Sequence, residues 1–191
     1  MEGRMSMTNE TFVAPGTPMD AAALAGLINS SYRAQGKAAG WTHEAGLLAG
    51  ARVGADALTK VLATGEATIL LLRRKMDAKL VGCISVEPMA DTLCYLSLLA
   101  IDPDDQDCGY GRLLLAEAET FAHGRGARTA RMTVIRQRET LIAWYERRGY
   151  RRTGEVLSFP YDDPNVGTPL HDDLQLMVLQ KPLVDRDAGA R

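Results

Sequence analysis

Residues 93–121 limit the possible folds of this chain more than any other part of the sequence. They begin with the apolar run LCYLSLLAI, continue through a polar segment with two glycines, and end in an apolar pattern of helical period. Because the run is apolar at nearly every position, we expect a strand that is covered on both faces. Leu113, Leu114 and Ala118 then recur at helical spacing, which predicts a helix packed on the sheet.

The polar segment between these two elements has the pattern Q-x-x-G-x-G, formed by Gln106, Gly109 and Gly111. Glycine lets the backbone adopt positive φ and approach a ligand closely. A turn of this kind at the start of a helix directs several free N–H groups and the positive end of the helix dipole at one point. The pattern therefore predicts a phosphate-binding site. Taken alone, it also describes a tight turn that binds no ligand.

A second motif, A-x-Y-x-x-x-G-Y, occupies residues 143–150. The order of strand, Q-x-x-G-x-G-R, helix, strand and A-x-Y-x-x-x-G-Y resembles the acetyl-CoA-binding core of the GCN5-related N-acetyltransferases, the GNAT superfamily. The resemblance extends over about residues 11–181, and its specific part is 96–150. It implies an enzyme that transfers acetyl from acetyl-CoA directly to an amine, without a covalent enzyme intermediate.

The length and composition indicate one globular domain. A chain of 191 residues with 46% hydrophobic and 24% charged residues can bury one full core. We expect a disordered arm at 1–10, a single domain at 11–182 and a flexible tail at 183–191. The sequence has no apolar run of membrane-spanning length and no signal-peptide pattern, which predicts a cytoplasmic protein.

Charge and cysteine usage narrow the range of partners. The net charge of -2 provides no general attraction for nucleic acid. The three cysteines, Cys83, Cys94 and Cys108, lack metal-ligand spacing, so we expect reduced thiols and no metal site. Nine arginines fall within residues 125–152. They form either a solvated face or, for one or two of them, contacts to the 3′-phosphate of CoA.

Periodicity and the resemblance together predict the fold class α/β (α+β), with a mixed, mostly antiparallel sheet of about seven strands, a central splay and flanking helices. A helix should begin at Thr17, which can cap it, and residues 33–54 should form a loop with a short helical piece. The other expected elements are strands at 11–14, 67–73, 79–87, 128–136, 150–158 and 174–179 and helices at 55–62 and 139–148.

The resemblance also implies a cofactor site. In the family, the strand before the turn splays from the next one, and the pantetheine arm of acetyl-CoA lies in the gap. Backbone groups of Leu99, Ala100 and Ile101 would then pair with that arm, and the N–H groups of 107–112 would contact the pyrophosphate. Arg138 replaces an asparagine that is usual in the family, and its guanidinium could reach a cofactor phosphate. The implied cofactor-binding residues are Leu99, Ala100, Ile101, Gln106, Asp107, Cys108, Gly109, Tyr110, Gly111, Arg112, Arg138 and Tyr145.

Tyr145 is the residue expected to act in catalysis. Transfer to an amine expels a CoA thiolate, and a phenol with a pKa of about 10 can protonate it if the two lie close together. A tyrosine packed in the core beside Ile142 is the alternative. The amine must also lose a proton, and Glu87, at the end of a strand next to the splayed one, is the first candidate base. Further candidates are Glu44, His43 and His171.

The resemblance implies an acceptor pocket between the loop after the first helix and the connection between the last two strands. Aromatic rings and acids there predict an acidic pocket that suits a small cationic amine, with solvated loop acids as the alternative. Thr133 occupies a position where some protein N-terminal acetyltransferases have a glutamate, which disfavours a peptide acceptor. The expected substrate-binding residues are Trp41, Glu44, Phe159 and Tyr161, and the nearby acids are Asp162, Asp163, Asp172 and Asp173.

The predicted function is N-acetylation of a primary amine on a small molecule, with acetyl-CoA as cosubstrate and no metal. Two alternatives remain open: a protein or peptide N-acetyltransferase, and a regulatory module that binds acyl-CoA without turnover. A nucleotide-binding domain is disfavoured because no strand with G-x-G-x-x-G opens the chain. The expected partners are acetyl-CoA and the amine, without nucleic acid or membrane, and the chain is expected as a monomer or homodimer.

Overall fold

The computed structural model describes residues 10–33, 44–106, 108–163 and 166–184. It confirms the predicted fold class, a mixed α/β structure whose seven-stranded sheet is antiparallel except for one pair of strands. The strands are β1 (Thr11–Pro15), β2 (Leu48–Ala49), β3 (Thr68–Arg74), β4 (Leu80–Pro88), β5 (Leu93–Ile101), β6 (Thr129–Ile135), β7 (Arg151–Ser158), β8 (Thr168–Pro169) and β9 (Gln175–Pro182). The helices are α1 (Ala21–Arg33), α2 (Ala55–Thr64), α3 (Tyr110–Gly124) and α4 (Glu139–Glu146).

The sheet opens between β5 and β6. Its strand order is β1-β3-β4-β5-β6-β9-β7, and the parallel pairing of β5 with β6 covers three positions, from Leu93↔Thr129 to Tyr95↔Arg131. Beyond Tyr95, β5 continues to Ile101 beside β4, and β6 continues to Ile135 beside β9. The two strands therefore diverge, which confirms the predicted central splay.

A β-bulge in β5 lies at the point where the strands diverge. Cys83 pairs with Ala100 and Ser85 with Ser97, so β5 has one more residue than β4 in this interval. Leu98 in the bulge has φ 53°, in the left-handed region that non-glycine residues rarely adopt. A bulge bends its strand and increases its twist. This one directs the second half of β5 away from β6.

Both faces of the sheet are covered, as the apolar run in β5 predicts. On one face, Leu96, Leu99 and Ile101 pack in the main core with α3 and α4. On the other face, Ala100 joins a smaller core with residues of α1 and α2. Full burial of a leucine or isoleucine side chain stabilises the fold by roughly 1.5–3 kcal/mol, so this alternation fixes the register of β5.

Two predicted regions differ from the structure. The loop predicted at 33–54 contains the short strand β2, which pairs with β8 from the connection before β9. A two-residue strand is too short to produce a periodic signal, so the sequence did not reveal it. The last predicted helix is shorter, since α4 ends at Glu146 and a turn leads to Gly149, whose φ is 91°.

The predicted chain ends are partly described. The carbonyl of Glu10 accepts from the N–H of Lys75, and Leu183 packs in the main core with 7% of its surface exposed. The rest of the predicted arm, and the predicted tail beyond Val184, lie outside the described residues. Within the described ranges, no helix is both long and apolar enough to cross a membrane.

Candidate active site

The Q-x-x-G-x-G segment forms the turn from β5 into α3. Gly109 caps the helix with φ 78°, a left-handed conformation that glycine adopts without strain. The first bond along the helix joins the N–H of Leu113 to the carbonyl of Gly109 at 3.1 Å. The N–H groups of the first turn precede this bond and are left without a partner inside the helix. The turn therefore presents backbone donors and the positive end of a helix dipole.

A pocket of about 390 Å³ lies at this turn. Cys108 is exposed beside it, and Asp107 lies outside the described residues. Six of the predicted cofactor-binding residues line the pocket, and Asp105, Trp144 and Arg148 line it as well. The six are Ile101, Gln106, Gly109, Tyr110, Gly111 and Arg112.

Arg148, which lines this pocket, has an unsatisfied donor. Its guanidinium carbon lies 3.4 Å from the ring centroid of Trp144, and Nη1 donates to the Trp144 carbonyl at 2.6 Å. Its Nε is buried and has no hydrogen-bond partner. Burial, followed by the charges of Arg147 and Arg112, lowers the pKa of Arg148. From the sequence, Arg148 was one of the nine arginines of 125–152 considered as a group; in the structure it is the one of the nine that lines this pocket.

The acid in the turn pocket does not offset this positive charge. Asp105 lies 2.8 Å from the Nζ of Lys79 and 3.8 Å from a guanidinium nitrogen of Arg74. Hydrogen bonds to Asp102 and Asp105 raise the pKa of Lys79. The carboxylate of Asp105 is thus already neutralised by neighbouring cations, and the pocket can accept an anion.

A second cavity, the splay cavity, has a volume of about 270 Å³ and lies where β5 and β6 diverge. Residues of both strands form its sides, and α1, α4 and the β7–β8 connection complete it. Its lining residues include the following polar, charged or aromatic side chains: Tyr32, Glu44, Arg52, Tyr95, Thr133, Arg138, Tyr145 and Phe159.

Tyr145 lines the splay cavity, while its neighbour Trp144 lines the turn pocket. The Tyr145 ring is 7% exposed and packs edge-on against Trp144 and Tyr150, with centroid distances of 5.0 and 5.6 Å. Burial raises the pKa of its hydroxyl, so the phenol is neutral at pH 7. Tyr145 also packs in the main core with Ile142, so its ring has a structural role in addition to the one predicted.

Arg138 lies in the splay cavity and does not line the turn pocket. Its Nη1 is 3.2 Å from Glu44 Oε1, and Arg33 Nη1 is 3.0 Å from Glu44 Oε2. In the structure the Arg138 guanidinium is thus paired with Glu44, and its predicted contact to a cofactor phosphate stays a prediction. Both oxygens of Glu44 accept from arginines, so Glu44 anchors two cations.

The splay cavity is not the acidic pocket that the sequence predicted. Glu44 is the one carboxylate among the described residues that line it, against the guanidinium groups of Arg52 and Arg138. The loop aspartates are not part of this lining, and most of them are exposed, because the connection that carries them turns outward after Phe159. These aspartates are Asp162, Asp163, Asp172 and Asp173.

The other predicted acceptor residues have different positions. Phe159 is 5% exposed and lines the splay cavity. Tyr161 does not; it packs edge-on against Phe159, with centroids 5.3 Å apart, and its hydroxyl accepts from the N–H of Leu174 at 2.7 Å. Trp41 and His43 lie outside the described residues.

Neither Glu87 nor His171 lines the splay cavity. Glu87 is exposed near the end of β4, opposite Tyr95 in the pairing of β4 with β5. The exposed ring of His171 contacts the carbonyl of Gly46 at 3.1 Å. Their positions therefore give no support to either residue as the base.

The second half of β5 contains Leu99, Ala100 and Ile101, whose backbone groups are predicted to pair with the pantetheine arm. Leu99 lines the splay cavity and Ile101 the turn pocket, whereas the Ala100 side chain packs on the opposite face. The Leu99 carbonyl accepts from Tyr32 Oη at 3.1 Å, and the Ile101 carbonyl accepts from Ser31 Oγ at 2.9 Å. Side chains of α1 thus hold this part of β5 in place.

Comparisons with known proteins agree with this arrangement. Among solved structures, the chain resembles the ribosomal-protein-S18-alanine N-acetyltransferase from Escherichia coli, with a TM-score of 0.66 and 16% identity over 92% of this chain and 95% of that chain. It also resembles nourseothricin acetyltransferase, with a TM-score of 0.63 and 19% identity over 92% and 99%. At these identities the likeness shows the fold alone. A search of curated protein sequences found no match.

The sequence matches the family model of the acetyltransferase (GNAT) domain over residues 42–159, which is more than half of the chain. The matched region contains the turn, the splay and α4. The chain therefore belongs to the GNAT acetyltransferase family.

Proposed function

We propose that this protein transfers acetyl from acetyl-CoA to the primary amine of a small molecule. The observation that carries the proposal is the placement of Tyr145 and Trp144 on one turn of α4, each in a different pocket. A pocket for phosphate and a cavity with a neutral phenol are thereby adjacent. Family membership supports the choice of acetyl transfer over other reactions.

The residues of the turn pocket fit the diphosphate of CoA. Backbone donors at the start of α3 suit an anion, and Gly109 allows its close approach. Arg148 Nε is a buried donor that lacks an acceptor. Arg112 and Arg148 both line the pocket, and no ion pair to either occurs among the described residues, so their positive charges are available to phosphate oxygens. Arg112 and Arg148 thus take the role that the sequence suggested for Arg138.

Tyr145 would protonate the departing thiolate. In the overall reaction the amine nitrogen bonds to the acetyl carbon, the carbon–sulfur bond breaks, the sulfur gains a proton and the nitrogen loses one. Burial keeps the Tyr145 hydroxyl protonated at pH 7, so a proton is available where the thiolate forms, and a positioned acid typically contributes about 10²–10⁴ to the rate.

Glu44, Arg33 and Arg138 would shape the cavity around this reaction. The carboxylate holds Arg138 against the start of α4, where the Arg138 carbonyl accepts from the N–H groups of Leu141 and Ile142. Because α4 carries Tyr145, this contact orients the helix that positions the phenol. We assign Glu44 a positioning role in place of the proton-accepting one considered from the sequence.

A small acceptor fits the splay cavity better than a peptide does. The cavity of about 270 Å³ is small, and Tyr95 Oη and Thr133 Oγ1 lie 2.6 Å apart in its wall. The two hydroxyls form a hydrogen bond with each other, and Thr133 occupies the position where some protein N-terminal acetyltransferases of the superfamily have a glutamate. Acetylation of peptides in place of small amines is one of the outcomes that the test below distinguishes.

Release of free CoA thiol from acetyl-CoA tests the proposal across a panel of small amines and short peptides. We expect acceptor-dependent thiol release with small amines and a fall of about 100-fold in kcat for Tyr145→Phe. Tyr161→Phe, which removes a hydroxyl outside the cavity, should keep full turnover. Tight acetyl-CoA binding with no acceptor-dependent thiol release would instead indicate a module that binds acyl-CoA without turnover.

A further inference from the structure

The splay cavity has an excess of positive charge. Arg52 and Arg138 line it, and Arg33 contacts the far oxygen of Glu44. Glu44 is the one carboxylate in the described part of this group. The described part of this group thus has three guanidinium groups and one carboxylate, and two of the three guanidinium groups pair with that carboxylate.

Arg52 is the member of this group that has no carboxylate within reach. Arg33 and Arg138 both pair with Glu44. The guanidinium of Arg52 lies over the ring of Tyr32, 5.7 Å from its centroid, and forms no hydrogen bond or ion pair with another described residue. Its side chain is half-buried. Partial removal of a cation from water without a counter-ion costs free energy, which a bound anion would offset.

The position of Arg52 is fixed by α1 and does not require a ligand. Asn29 Oδ1 accepts from the N–H groups of Arg52 and Val53 at 2.6 and 3.2 Å, and Asn29 Nδ2 donates to the Val53 carbonyl at 2.9 Å. Tyr32, which stacks with the guanidinium, is itself fixed by its bond to the Leu99 carbonyl. A cation on a pre-ordered backbone loses less entropy when it binds a ligand.

We propose that Arg52 binds a carboxylate of the acceptor, and that the acceptor is a small amine of the amino-acid type. The inference rests on the proposed function and specifies the substrate class of the same cavity. The planar guanidinium matches the two oxygens of a carboxylate and can donate to both. The acceptor is then anionic at one end, in contrast to the purely cationic amine that the sequence suggested.

Pairs of acceptors that differ only in the carboxylate test the need for that charge separately from acetyl transfer. Amino acids and their carboxamides present the same amine with and without the carboxylate. We expect wild-type kcat/KM to be at least about tenfold higher for the carboxylates, since a hydrogen bond to a charged group contributes about 1.5–3 kcal/mol. Arg52→Gln should remove this preference by raising KM for the carboxylates to the level of the carboxamides.

Arg151→Gln is the matched control, because Arg151 is exposed on the edge strand β7. It removes the same charge and should keep the full preference for carboxylates. A wild-type enzyme that acetylates carboxamides as well as carboxylates would overturn the inference while leaving acetyl transfer intact. Retention of the preference in Arg52→Gln would also overturn it.

A binding measurement without turnover tests the carboxylate site independently of catalysis. Calorimetry on the CoA-saturated protein would measure the affinity for N-acetylated amino acids, which are the expected products. It would compare this affinity with that for the corresponding carboxamides, which lack the carboxylate. We expect the carboxylates to bind at least about tenfold more tightly to wild type and to Arg151→Gln, and equally weakly to Arg52→Gln. Equal affinity of both series for the wild type would contradict the inference. Absence of turnover with every amine would contradict the proposed function alone.

Discussion

The rings of Trp144 and Tyr145 meet edge to face, with centroids 5.0 Å apart and an interplanar angle of 88°, and each lines a different pocket. Consecutive residues on a helix point about 100° apart, so one turn of α4 can serve two sites. The turn pocket on the Trp144 side has backbone donors and arginines, and the cavity on the Tyr145 side has a neutral phenol. In the proposed mechanism, this pairing connects the binding of the cofactor phosphates with proton transfer to the thiolate.

Loss of the Arg148 guanidinium should weaken cofactor binding. Arg148→Gln removes the buried, unpartnered Nε beside the turn, and we expect the Kd for CoA to rise about tenfold. The effect should be smaller for dephospho-CoA if Arg148 contacts the 3′-phosphate, and equal if it contacts the diphosphate. Calorimetry with both ligands measures this, with Arg151→Gln as control. An unchanged Kd for both ligands would remove Arg148 from the site.

The left-handed conformation of Gly109 should be required for the turn. Gly109→Ala forces a side chain into φ 78°, at a cost of about 1–2 kcal/mol, and we expect a corresponding loss of stability and a large loss of CoA affinity. Gly126→Ala is the control, because φ there is 97°, the space around the new Cβ is open, and the glycine follows the far end of α3. Both variants should lose similar stability in urea unfolding. If both also bind CoA equally well, the turn is not the phosphate site.

Removal of the Glu44 carboxylate should destabilise the fold as well as the site. Glu44→Gln leaves Arg33 and Arg138 without their buried counter-ion, and breaking such a pair costs about 3 kcal/mol. We expect a lower Tm and reduced kcat, because Arg138 leads into the helix that carries Tyr145. Glu155→Gln, which breaks the exposed pair with Arg131, should change stability by less than about 1 kcal/mol. Equal losses in the two variants would argue against a buried anchor at Glu44.

Buried tyrosines should make the protein less stable in alkali. Burial raises the pKa of Tyr32, Tyr145 and Tyr150 in the folded chain. In the unfolded chain the pKa of each hydroxyl is about 10. Their contribution to stability is thus complete below about pH 10 and is lost as the pH rises toward the folded-state values. Urea unfolding at pH 8 to 11 should show a falling free energy of unfolding, with a shallower fall for Tyr150→Phe. A flat profile would contradict the burial of these hydroxyls.

Much of the fold could be predicted because its signals are local. The apolar run of β5, the glycines of the turn and the helical spacing of α3 each lie within a few residues of one another. The bulge at Leu98 could not be predicted, because a leucine with positive φ is imposed by pairing with β4 and has no sequence signature. The pairing of β2 with β8 was missed for a similar reason, since its two halves are more than a hundred residues apart.

The sequence predicted the position of candidate site residues that belong to a motif. It did not predict the positions that depend on charge pairs between separate parts of the chain. Gln106, Gly109, Gly111 and Tyr145 lie in motifs and line the expected pockets. The sequence predicted Glu44 as a substrate-binding acid and gave no sign of its pairing with Arg33 and with Arg138, which is 94 residues away. Arg52 carries no motif at all. Its role follows from its position beside Tyr32, which only the tertiary structure shows.

A crystal structure with bound CoA tests the central claim most directly. We expect the diphosphate on the N–H groups at the start of α3 with Arg148 Nε donating to it, and the thiol sulfur within hydrogen-bonding distance of Tyr145 Oη in the splay cavity. A CoA molecule whose diphosphate lies away from the Gly109 turn, or whose sulfur lies outside the splay cavity, would contradict the account.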